Sequence, residues 1–540
     1  MSPQTVDPHA ALLTIIDNDP CPTTFTVNDN GDASDVNQGD GLCATSGGAC
    51  TLRAAIEEAN ALTACGTIDI NFSITGAITL TGQLVVSHDV NVNGPGVNQL
   101  TISGNNASRV FNISSGKTVT ISNLTVSGGK VTGANKGGGV LNSGTLTLTN
   151  VTVNGNNSDS LGGGIFSSGN LTVTNSVVSG NTGKNGGGGI EQNGLGVALL
   201  TSSTVSGNNA PNGGGAGVEN SGGTFTITNV TVSGNSSFNT GGGIYNGGTL
   251  SLLNSTVSGN VSKDDGGGME DDNTATIVNS TITNNHADND DSAGGTGGGI
   301  KLGGNPITLH NTIVAGNFRG TGSTRDDVSG ALDISSASNL IGDGTGMSGI
   351  SNGSNGNQVG TIASPIDPLL AALMDNGGPT FTHGLLYNSP AVDAGDDCVF
   401  TNTCSPSLGS ALTTDQRGLS RKADGDLVSG AHVDIGAYER QATESRPVPL
   451  GSNVHVDLND VRIAFPTVSG ARPDDGAANA VAPAVAGPSV SITVIPVPGD
   501  APPTSFAAFD VTPSSAFYTA PVDVCFYLPS ITPKATFDNL

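Results

Sequence analysis

The sequence predicts an all-β protein dominated by a right-handed parallel β-helix of about 10–12 coils, and two patterns lead to this prediction. A unit of about 25 residues repeats along the middle of the chain, with a glycine run, an apolar residue, a short turn and a stretch that ends in Ser-Gly-Asn. The apolar residue recurs at Val140, Ile165, Ile190, Val218, Ile244, Met269 and Ile300. Such a repeat is typical of a solenoid, in which each coil is stable only when it is stacked on its neighbours.

The second pattern is an alternation of apolar and polar residues with period two. In residues 145–149, Leu146 and Leu148 alternate with threonines, as a β-strand with one buried face requires. Glycine supplies 81 of the 540 residues and is concentrated where the chain must turn. Parallel strands that are joined by crossovers favour right-handed winding.

Asparagine recurs at two positions of the repeat, and we expect the stacked amides in each column to hydrogen-bond to one another. The first column is Asn123, Asn150, Asn175, Asn229, Asn254, Asn279 and Asn311, interrupted at Ser202. The second column is Asn156, Asn181, Asn208, Asn235, Asn260, Asn285 and Asn317.

Both ends of a solenoid need caps, and the sequence offers candidates. Residues 50–62 predict an amphipathic helix, with Leu52, Ile56 and Ala59 on one face, that covers the first coil. The cysteines around it are Cys21, Cys43, Cys50 and Cys65. Four cysteines allow three disulfide connectivities, and proximity along the chain favours Cys43–Cys50 with Cys21–Cys65. Zinc binding by these cysteines is the alternative to disulfide formation. Cys398 and Cys404 are expected to close a small loop, and disulfides indicate an oxidising compartment.

The formal net charge of −27 argues against nucleic acids and anionic membranes as partners. No stretch of the sequence is apolar for long enough to form a transmembrane segment. The remaining candidate partners are a surface polysaccharide or another cell-surface protein.

Composition and repeats divide the chain into six parts. We expect the end of a preceding β domain in residues 1–20, an N-terminal cap in 21–67, the β-helix in 68–370, and final coils or a cap in 371–440. A proline-containing linker, 441–451, leads to a small β-sandwich-like region, 452–540, which we expect to be truncated.

Three parts of the chain resemble known families. Residues 25–62 contain Gly39-Asp-Gly-Leu-Cys43 and Cys50-Thr-Leu-Arg-Ala-Ala-Ile56 and resemble the CSLREA domain of bacterial surface proteins. Residues 388–439 contain Asn388-Ser-Pro-Ala-Val-Asp-Ala-Gly395, Thr414-Asp-Gln-Arg-Gly418 and Asp434-Ile-Gly-Ala-Tyr-Glu439, and they resemble the choice-of-anchor Q segment that closes such β-helices. The repeats are similar to polymorphic outer-membrane-protein and adhesin-type β-helices, and Leu12–Asp19 is similar to the end of a Calx-beta domain. These resemblances imply a secreted or surface-attached bacterial protein, extracellular or on the cell surface, without a defined activity.

The best catalytic hypothesis is a pair of carboxylates on adjacent coils. Glu191 and Glu219 follow the apolar residue of two neighbouring repeats and are expected to point outward about 5 Å apart, the separation of a retaining glycosidase pair. Solvated surface acids are the competing interpretation.

Ala394-Gly-Asp-Asp-Cys398 and His383-Gly384 resemble polygalacturonase segments, but in reversed order. A polysaccharide-active enzyme, a hydrolase or lyase of the pectin-lyase-like type, is therefore the alternative to a structural or adhesive protein without catalytic activity, which we favour.

Acidic residues concentrate in two neighbouring coils, and oxygen-rich sets suit Ca²⁺. They are Asp264, Asp265, Glu270, Asp271, Asp272, Asp288, Asp290 and Asp291. The sequence predicts no other cofactor, and a solvated acidic loop is the competing interpretation.

Two further surface features suggest binding. Phe166 and Tyr245 are the aromatic residues expected to be exposed for carbohydrate stacking. Rows of threonines, as in 145–149 and 224–228, raise the minor hypothesis of ice binding. These rows are interrupted at Leu199, Leu253, Val278 and His310.

Overall fold

The computed structural model describes residues 21–441, except 293, 323, 387, 405–409 and 426–429, and beyond them the backbone of strands between 443 and 537. The segment 1–20, predicted as the end of a preceding domain, lies outside the described residues. The predicted parallel β-helix is confirmed. Three sheets run along it, and corresponding strands of successive coils pair in parallel register, as Ile190 does with Val218.

The first sheet, which we call the short-strand sheet, contains the apolar residue that follows each glycine run. This residue points into the core, and the next residue points away from it. The strands are Leu84–Val86, Phe111–Ile113, Val140–Asn142, Ile165–Ser167, Ile190–Gln192, Val218–Asn220, Ile244–Asn246, Met269–Asp271, Ile300–Leu302, Val328–Ala331 and Met347–Ser348.

The second sheet, the bent sheet, contains the alternating stretches and turns a corner at the first asparagine column. Its strands before the regular repeats are Thr24–Val27, Ile68–Phe72, Gly76–Thr79, Val90–Asn93 and Leu100–Ser103. The regular repeats supply Thr118–Ser127, Thr145–Asn154, Asn170–Thr174, Val177–Ser179, Val197–Thr201, Thr204–Ser206, Thr224–Thr228, Thr231–Ser233, Thr249–Leu253, Thr256–Ser258, Thr274–Val278, Thr281–Thr283, Thr308–His310, Ile313–Val314, Leu340–Ile341 and Gln358–Val359.

The third sheet, the narrow sheet, consists of two-residue strands that lead into the glycine runs. These strands are Lys130–Val131, Asn157–Ser158, Thr182–Gly183, Asn209–Ala210, Ser236–Ser237, Val261–Ser262, His286–Ala287, Phe318–Arg319 and Thr324–Arg325. The last two pair in antiparallel orientation.

The second asparagine column forms the predicted ladder. Nδ2 of Asn208 donates to Oδ1 of Asn235 at 3.0 Å, and the same oxygen accepts from the backbone N–H of Asn208 at 2.9 Å. Equivalent bonds link the buried amides from Asn156 to Asn317, and Asn317 donates to Oδ1 of Asp327 at 2.8 Å. Each amide thus satisfies buried polar groups of two coils.

The first asparagine column has a different role, and the prediction of a continuous amide ladder there is wrong. These asparagines adopt φ between 47° and 57°, the left-handed region in which asparagine is tolerated better than most residues. Among the described residues, one pair links adjacent coils, with Asn150 donating to Asn123 at 2.7 Å. The column therefore makes the corner of the bent sheet.

The N-terminal cap agrees with the prediction. The helix spans Leu52–Ala61, and the Thr51 side chain caps it by accepting from the N–H of Ala54. Disulfides join Cys21 to Cys65, Cys43 to Cys50 and Cys398 to Cys404, which confirms the favoured connectivity. In this oxidised state the first four cysteines have no thiolate to offer to zinc, contrary to the zinc alternative.

The described residues of 371–441 form no further coil; they fold back across the outer side of the bent sheet. The segment contains an antiparallel hairpin of Leu370–Met374 with Thr382–Leu385 and a short helix, Cys398–Thr401, and it follows a 3₁₀ turn at Ser354–Gly356. Val278 packs in one apolar cluster with Val399 and Val433, and Ile313 packs in another with Tyr438. We call residues 229–314, which this segment contacts, the covered coils, and residues 145–228 the open coils.

Beyond residue 441, the described strands form two antiparallel sheets. One contains Thr443–Pro447, Ser489–Ile495 and Ala508–Pro513. The other contains Gly451–Leu458, Val461–Gly470, Ala516–Tyr518, Asp523–Phe526 and Thr536–Phe537. The predicted linker 441–451 thus includes the edge strand Thr443–Pro447, and an edge strand is where a proline is usually found in a sheet. None of the described helices has the length and apolarity needed to cross a membrane.

Candidate functional site

The residue after the apolar marker forms one column along the outer side of the short-strand sheet. Parallel register places Glu191 directly beside Glu219, so the structure brings the predicted carboxylate pair together on adjacent strands. In the regular repeats the column consists of Leu141, Phe166, Glu191, Glu219, Tyr245, Glu270 and Lys301. It contains the best catalytic candidate of the sequence.

The column is covered by the glycine runs, and the prediction that its residues are solvated is wrong for several of them. Glu191 is 0% exposed and Phe166 only 4% exposed. Gly187, at φ 55°, lies so close that a Cβ there would be 2.6 Å from Cβ of Glu191, and Gly215 has the same relation to Glu219. The turn before each strand therefore folds back over the side chain four residues later, and only glycine leaves room for it.

Burial favours the protonated form of both carboxyls, whereas the hydrogen bonds donated to Glu191 favour its carboxylate form. Ser221 Oγ donates to Oε1 of Glu191 at 2.7 Å, and Asn193 Nδ2 lies 3.4 Å from the same oxygen. The Oε2 atoms of Glu191 and Glu219 are buried without a hydrogen-bond partner among the described residues. Burial raises the pKa of both carboxyls, and the charge of Glu191 helps to raise the pKa of Glu219 to about 9.

This geometry does not suit glycoside hydrolysis. A retaining enzyme needs both carboxyls beside the scissile bond of a bound sugar. Glu191 is fully buried, and Glu219 is half-buried with its Oε2 inside the protein. A polysaccharide has no access to both carboxyls unless the glycine turns move.

The two aromatic side chains that were candidates for sugar stacking already interact with other side chains of the protein. The Lys136 ammonium lies 4.5 Å from the centre of the Phe166 ring. Tyr245 is half-buried, and its hydroxyl donates to Oδ2 of Asp272 at 2.9 Å. Neither ring forms an open platform for a sugar.

The acidic turns are neighbours, as the sequence predicted, but several of their carboxylates already have partners. The backbone N–H of Asp288 donates to the carbonyl of Asp264, which joins the turns of successive coils. Lys263 pairs with Asp290 at 3.1 Å, and Lys301 pairs with Asp265 at 3.4 Å.

The other predicted metal ligands have different surroundings. Asp291 accepts from the N–H of Thr321, Asp272 is exposed, and Glu270 and Asp271 are buried. Burial raises the pKa of Glu270 to about 8 and that of Asp271 to about 6. Ca²⁺ binding stays a prediction, and a calorimetric titration with Ca²⁺ tests it.

The motif residues of 414–439 attach the C-terminal segment to the covered coils. Gln416 accepts from Thr256 Oγ1 at 2.7 Å and donates to Thr231 Oγ1 and Thr380 Oγ1, both at 2.9 Å. Asn254 Nδ2 donates to the carbonyl of Thr414 at 2.8 Å. The side chains that carry the family resemblance are therefore used in packing.

A buried set of guanidinium groups and carboxylates lies at the centre of this contact. Arg421 is fully buried; its Nη2 donates to Oδ1 of Asn254 at 3.0 Å, and its Nη1 lies 3.6 Å from Glu439. Arg417 pairs with Asp415 at 2.8 Å. Burial raises the pKa of Glu439 and lowers that of Arg421, but a guanidinium keeps its proton in proteins, so we treat the two as an ion pair. The sequence patterns did not predict this set, although the density of charges in the two motifs was a signal for it.

The residues that resemble polygalacturonase segments also lie in the contact. His383 is buried; its Nε2 lies 2.9 Å from Ser258 Oγ, and its Nδ1 lies 2.7 Å from the carbonyl of Ala371. Burial lowers the pKa of His383, so the imidazole is neutral. Its ring connects the hairpin to the covered coils.

A cluster of possible metal ligands around His310 was not predicted from the sequence. Nε2 of the buried His310 lies 3.2 Å from Cys398 Sγ, 3.8 Å from Cys404 Sγ and 3.6 Å from Asp396 Oδ2. An open cavity of about 510 Å³ adjoins these residues. His310 and Cys398 are 88 positions apart, so only the docking of the C-terminal segment brings them together.

The architecture defines the chain as a parallel β-helix protein. No protein-family model and no curated protein matches it. A similar solved structure is titled "Crystal structure of pectate lyase Pel9A", with a TM-score of 0.42 and 16% identity, covering 78% of this chain and 97% of that one. This similarity is too low to support a statement about activity.

Proposed function

We propose that the protein is a structural or adhesive rod without catalytic activity, secreted or displayed on the bacterial cell surface. The observation that carries this proposal is the burial of Glu191 beside Glu219 under the glycine turns. A catalytic carboxylate must reach its substrate, and Glu191 is 0% exposed.

The way in which the coils are held together supports a mechanical role. The asparagine ladder connects consecutive coils with buried hydrogen bonds, and disulfides close the N-terminal cap and the loop at Cys398. Disulfides persist in oxidising compartments, which agrees with an extracellular location. The resemblance of 25–62 and 388–439 to CSLREA and choice-of-anchor Q segments supports the same location.

The open coils are the part of the rod proposed to meet a partner. Their outer corner carries exposed asparagines such as Asn150 and Asn175, and Val177 there is 39% exposed. This uncharged surface suits a surface polysaccharide or another cell-surface protein, and the net charge of −27 disfavours polyanions.

A polysaccharide-active enzyme is the alternative that an assay must exclude. We expect no new reducing ends and no unsaturated products when the protein is incubated with a panel of neutral and acidic polysaccharides, with and without Ca²⁺. Turnover that is abolished by Glu191→Gln but retained by the exposed control Asp29→Asn would overturn the proposal.

A further inference from the structure

We propose that His310, Cys398 and Cys404, together with Asp396, bind a divalent metal ion of the Zn²⁺ type when the Cys398–Cys404 disulfide is reduced. In the oxidised chain the same residues form a disulfide packed against a histidine. The site thus has two alternative covalent states, and only the dithiol state supplies the thiolates that Zn²⁺ prefers.

The spacing of the ligand atoms is close to that of a tetrahedral site. Zn–S bonds of about 2.3 Å and Zn–N bonds of about 2.0 Å place the ligand atoms about 3.3–3.8 Å apart in a tetrahedron. Nε2 of His310 already lies 3.2 and 3.8 Å from the two sulfurs and 3.6 Å from Oδ2 of Asp396. The nitrogen and both sulfurs lie within 4.8 Å of one another, so opening the disulfide requires mainly that the sulfurs separate.

The protein holds the ligands from two directions. His310 ends the strand Thr308–His310 of the bent sheet. Asn311, the next residue, fixes the loop opposite, because its Oδ1 accepts from the N–H of Asp396 at 2.8 Å and its Nδ2 donates to the Asp396 carbonyl at 3.0 Å. Oδ1 of Asp396 in turn accepts from the N–H of Cys398 at 2.9 Å, which leaves Oδ2 directed to His310. Such supporting hydrogen bonds are typical of metal sites.

Packing alone does not account for a histidine at this position. The preceding members of its column are Leu253 and Val278, which are aliphatic and fill the contact with the C-terminal segment. His310 is only 3% exposed, while the Asp396 side chain is 44% exposed and faces the cavity of about 510 Å³. An ion therefore has a route to an otherwise buried nitrogen.

The chemistry balances with a dithiol or phosphine as the reductant. A dithiol supplies two electrons and two protons by thiol–disulfide exchange and itself becomes a disulfide. A phosphine supplies the two electrons and is oxidised to a phosphine oxide with oxygen from water, and the two protons of that water go to the protein thiols. Each thiol then gives one proton to the solvent as its sulfur binds the ion, and Nε2 of His310 binds through its lone pair.

The test uses the full chain, reduced with a phosphine under anaerobic conditions, freed of reductant and titrated with Co²⁺. Tetrahedral thiolate coordination of Co²⁺ is visible as charge-transfer and d–d absorption bands, and Zn²⁺ should displace the Co²⁺. Two variants isolate the site from the other cysteines: His310→Leu, which keeps the aliphatic character of the column, and Cys398→Ser combined with Cys404→Ser. We expect both variants to bind one equivalent of Co²⁺ less than the native chain.

A second readout does not depend on absorption spectra. Zn²⁺ should raise the melting temperature of the reduced native chain and leave that of the reduced His310→Leu variant unchanged. Equal Co²⁺ stoichiometry and spectra in the native chain and either variant would overturn the proposal. An equal response of the two melting temperatures to Zn²⁺ would overturn it as well.

Discussion

The open coils and the covered coils are built from the same repeat, but they differ in what lies against their outer corner. In the open coils the residue before the corner is Thr149, Thr174, Thr201 or Thr228, and each is partly exposed. In the covered coils the equivalent residues are Leu253, Val278 and His310, and the last two are buried under the C-terminal segment. The corner asparagine changes too, since Asn150 and Asn175 are exposed whereas Asn279 is 0% exposed.

In the column before the corner, the residues that depart from the repeat are those that contact the C-terminal segment. The interruptions of the threonine row at Leu253, Val278 and His310 coincide with coverage by residues 371–441. Leu199 lies in a different column of the threonine rows, where it pairs with Thr172 and Thr226. It is 40% exposed, and nothing in the described residues explains this departure.

The largest expected effect follows from breaking the buried ion pair of the covered coils. Arg421→Met leaves Glu439 buried without its cation and removes the bond to Asn254. Removing one partner of a buried pair costs about 3–5 kcal/mol. We expect chemical denaturation to show this loss, and hydrogen exchange to become faster in the covered coils than in the open ones.

The matched control is a cation with an exposed partner in the open coils. Lys184 lies 3.8 Å from Asp159, and both side chains are solvated. Lys184→Met should change the free energy of unfolding by less than about 1 kcal/mol. Equal losses in the two variants would contradict the assignment of Arg421 as the central contact.

The sequence allowed the coils to be predicted because their determinants are local and repeated. Period-two alternation gives the strands, as in residues 145–149, and the repeat length gives the stacking, so Ile190 and Val218 could be paired in advance. The disulfides followed from proximity along the chain, and the helix followed from its apolar face.

The site was predicted less well because its determinants are not local. Alternation places Glu191 on the outer side of the sheet, but it carries no information about the glycine turn that covers this residue. The contacts of the C-terminal segment join positions far apart, such as Thr231 and Phe381, 150 residues later. Patterns within one coil do not encode such contacts, which is why the surroundings of Arg421 and His310 were missed.

The second largest expected effect is a change of folding stability with pH that originates in the open coils. Glu219 has an ordinary pKa of 4.5 and a pKa of about 9 in the folded protein, so from pH 4.5 to 9 the folded state binds more protons than the unfolded state. Stability should therefore fall as the pH rises through this window, by at most about 1.4 kcal/mol per pH unit from this group.

The variant Glu219→Gln imitates the protonated acid and should flatten that dependence. We expect it to match the native chain near pH 5 and to be more stable at pH 8, as measured by denaturant unfolding. Asp290→Asn, in an exposed turn, is the control and should keep the native slope. A Glu219→Gln variant with the native slope would show that Glu219 does not contribute to the pH dependence.

The third effect separates the two asparagine columns. Asn235→Ala removes the oxygen that accepts two hydrogen bonds from Asn208 and should cost about 2–3 kcal/mol, because buried donors are left unpaired. Asn150→Gly, at an exposed position of the corner column with φ 52°, should cost less than about 0.5 kcal/mol, because glycine adopts this conformation readily. Similar losses at both positions would contradict the division of roles.

The smallest effect tests the corner column directly by exchanging its residues between the two regions. Val278→Thr places a hydroxyl of nearly the same shape against Val399 and Val433 and should cost about 1–2 kcal/mol, because the added polar group is buried in an apolar cluster. Thr201→Val makes the reverse change in the open coils and should alter the free energy of unfolding by less than about 0.5 kcal/mol. Equal changes in the free energy of unfolding for Val278→Thr and Thr201→Val would contradict this interpretation. Coverage by the C-terminal segment would then not explain why aliphatic residues replace threonine in this column.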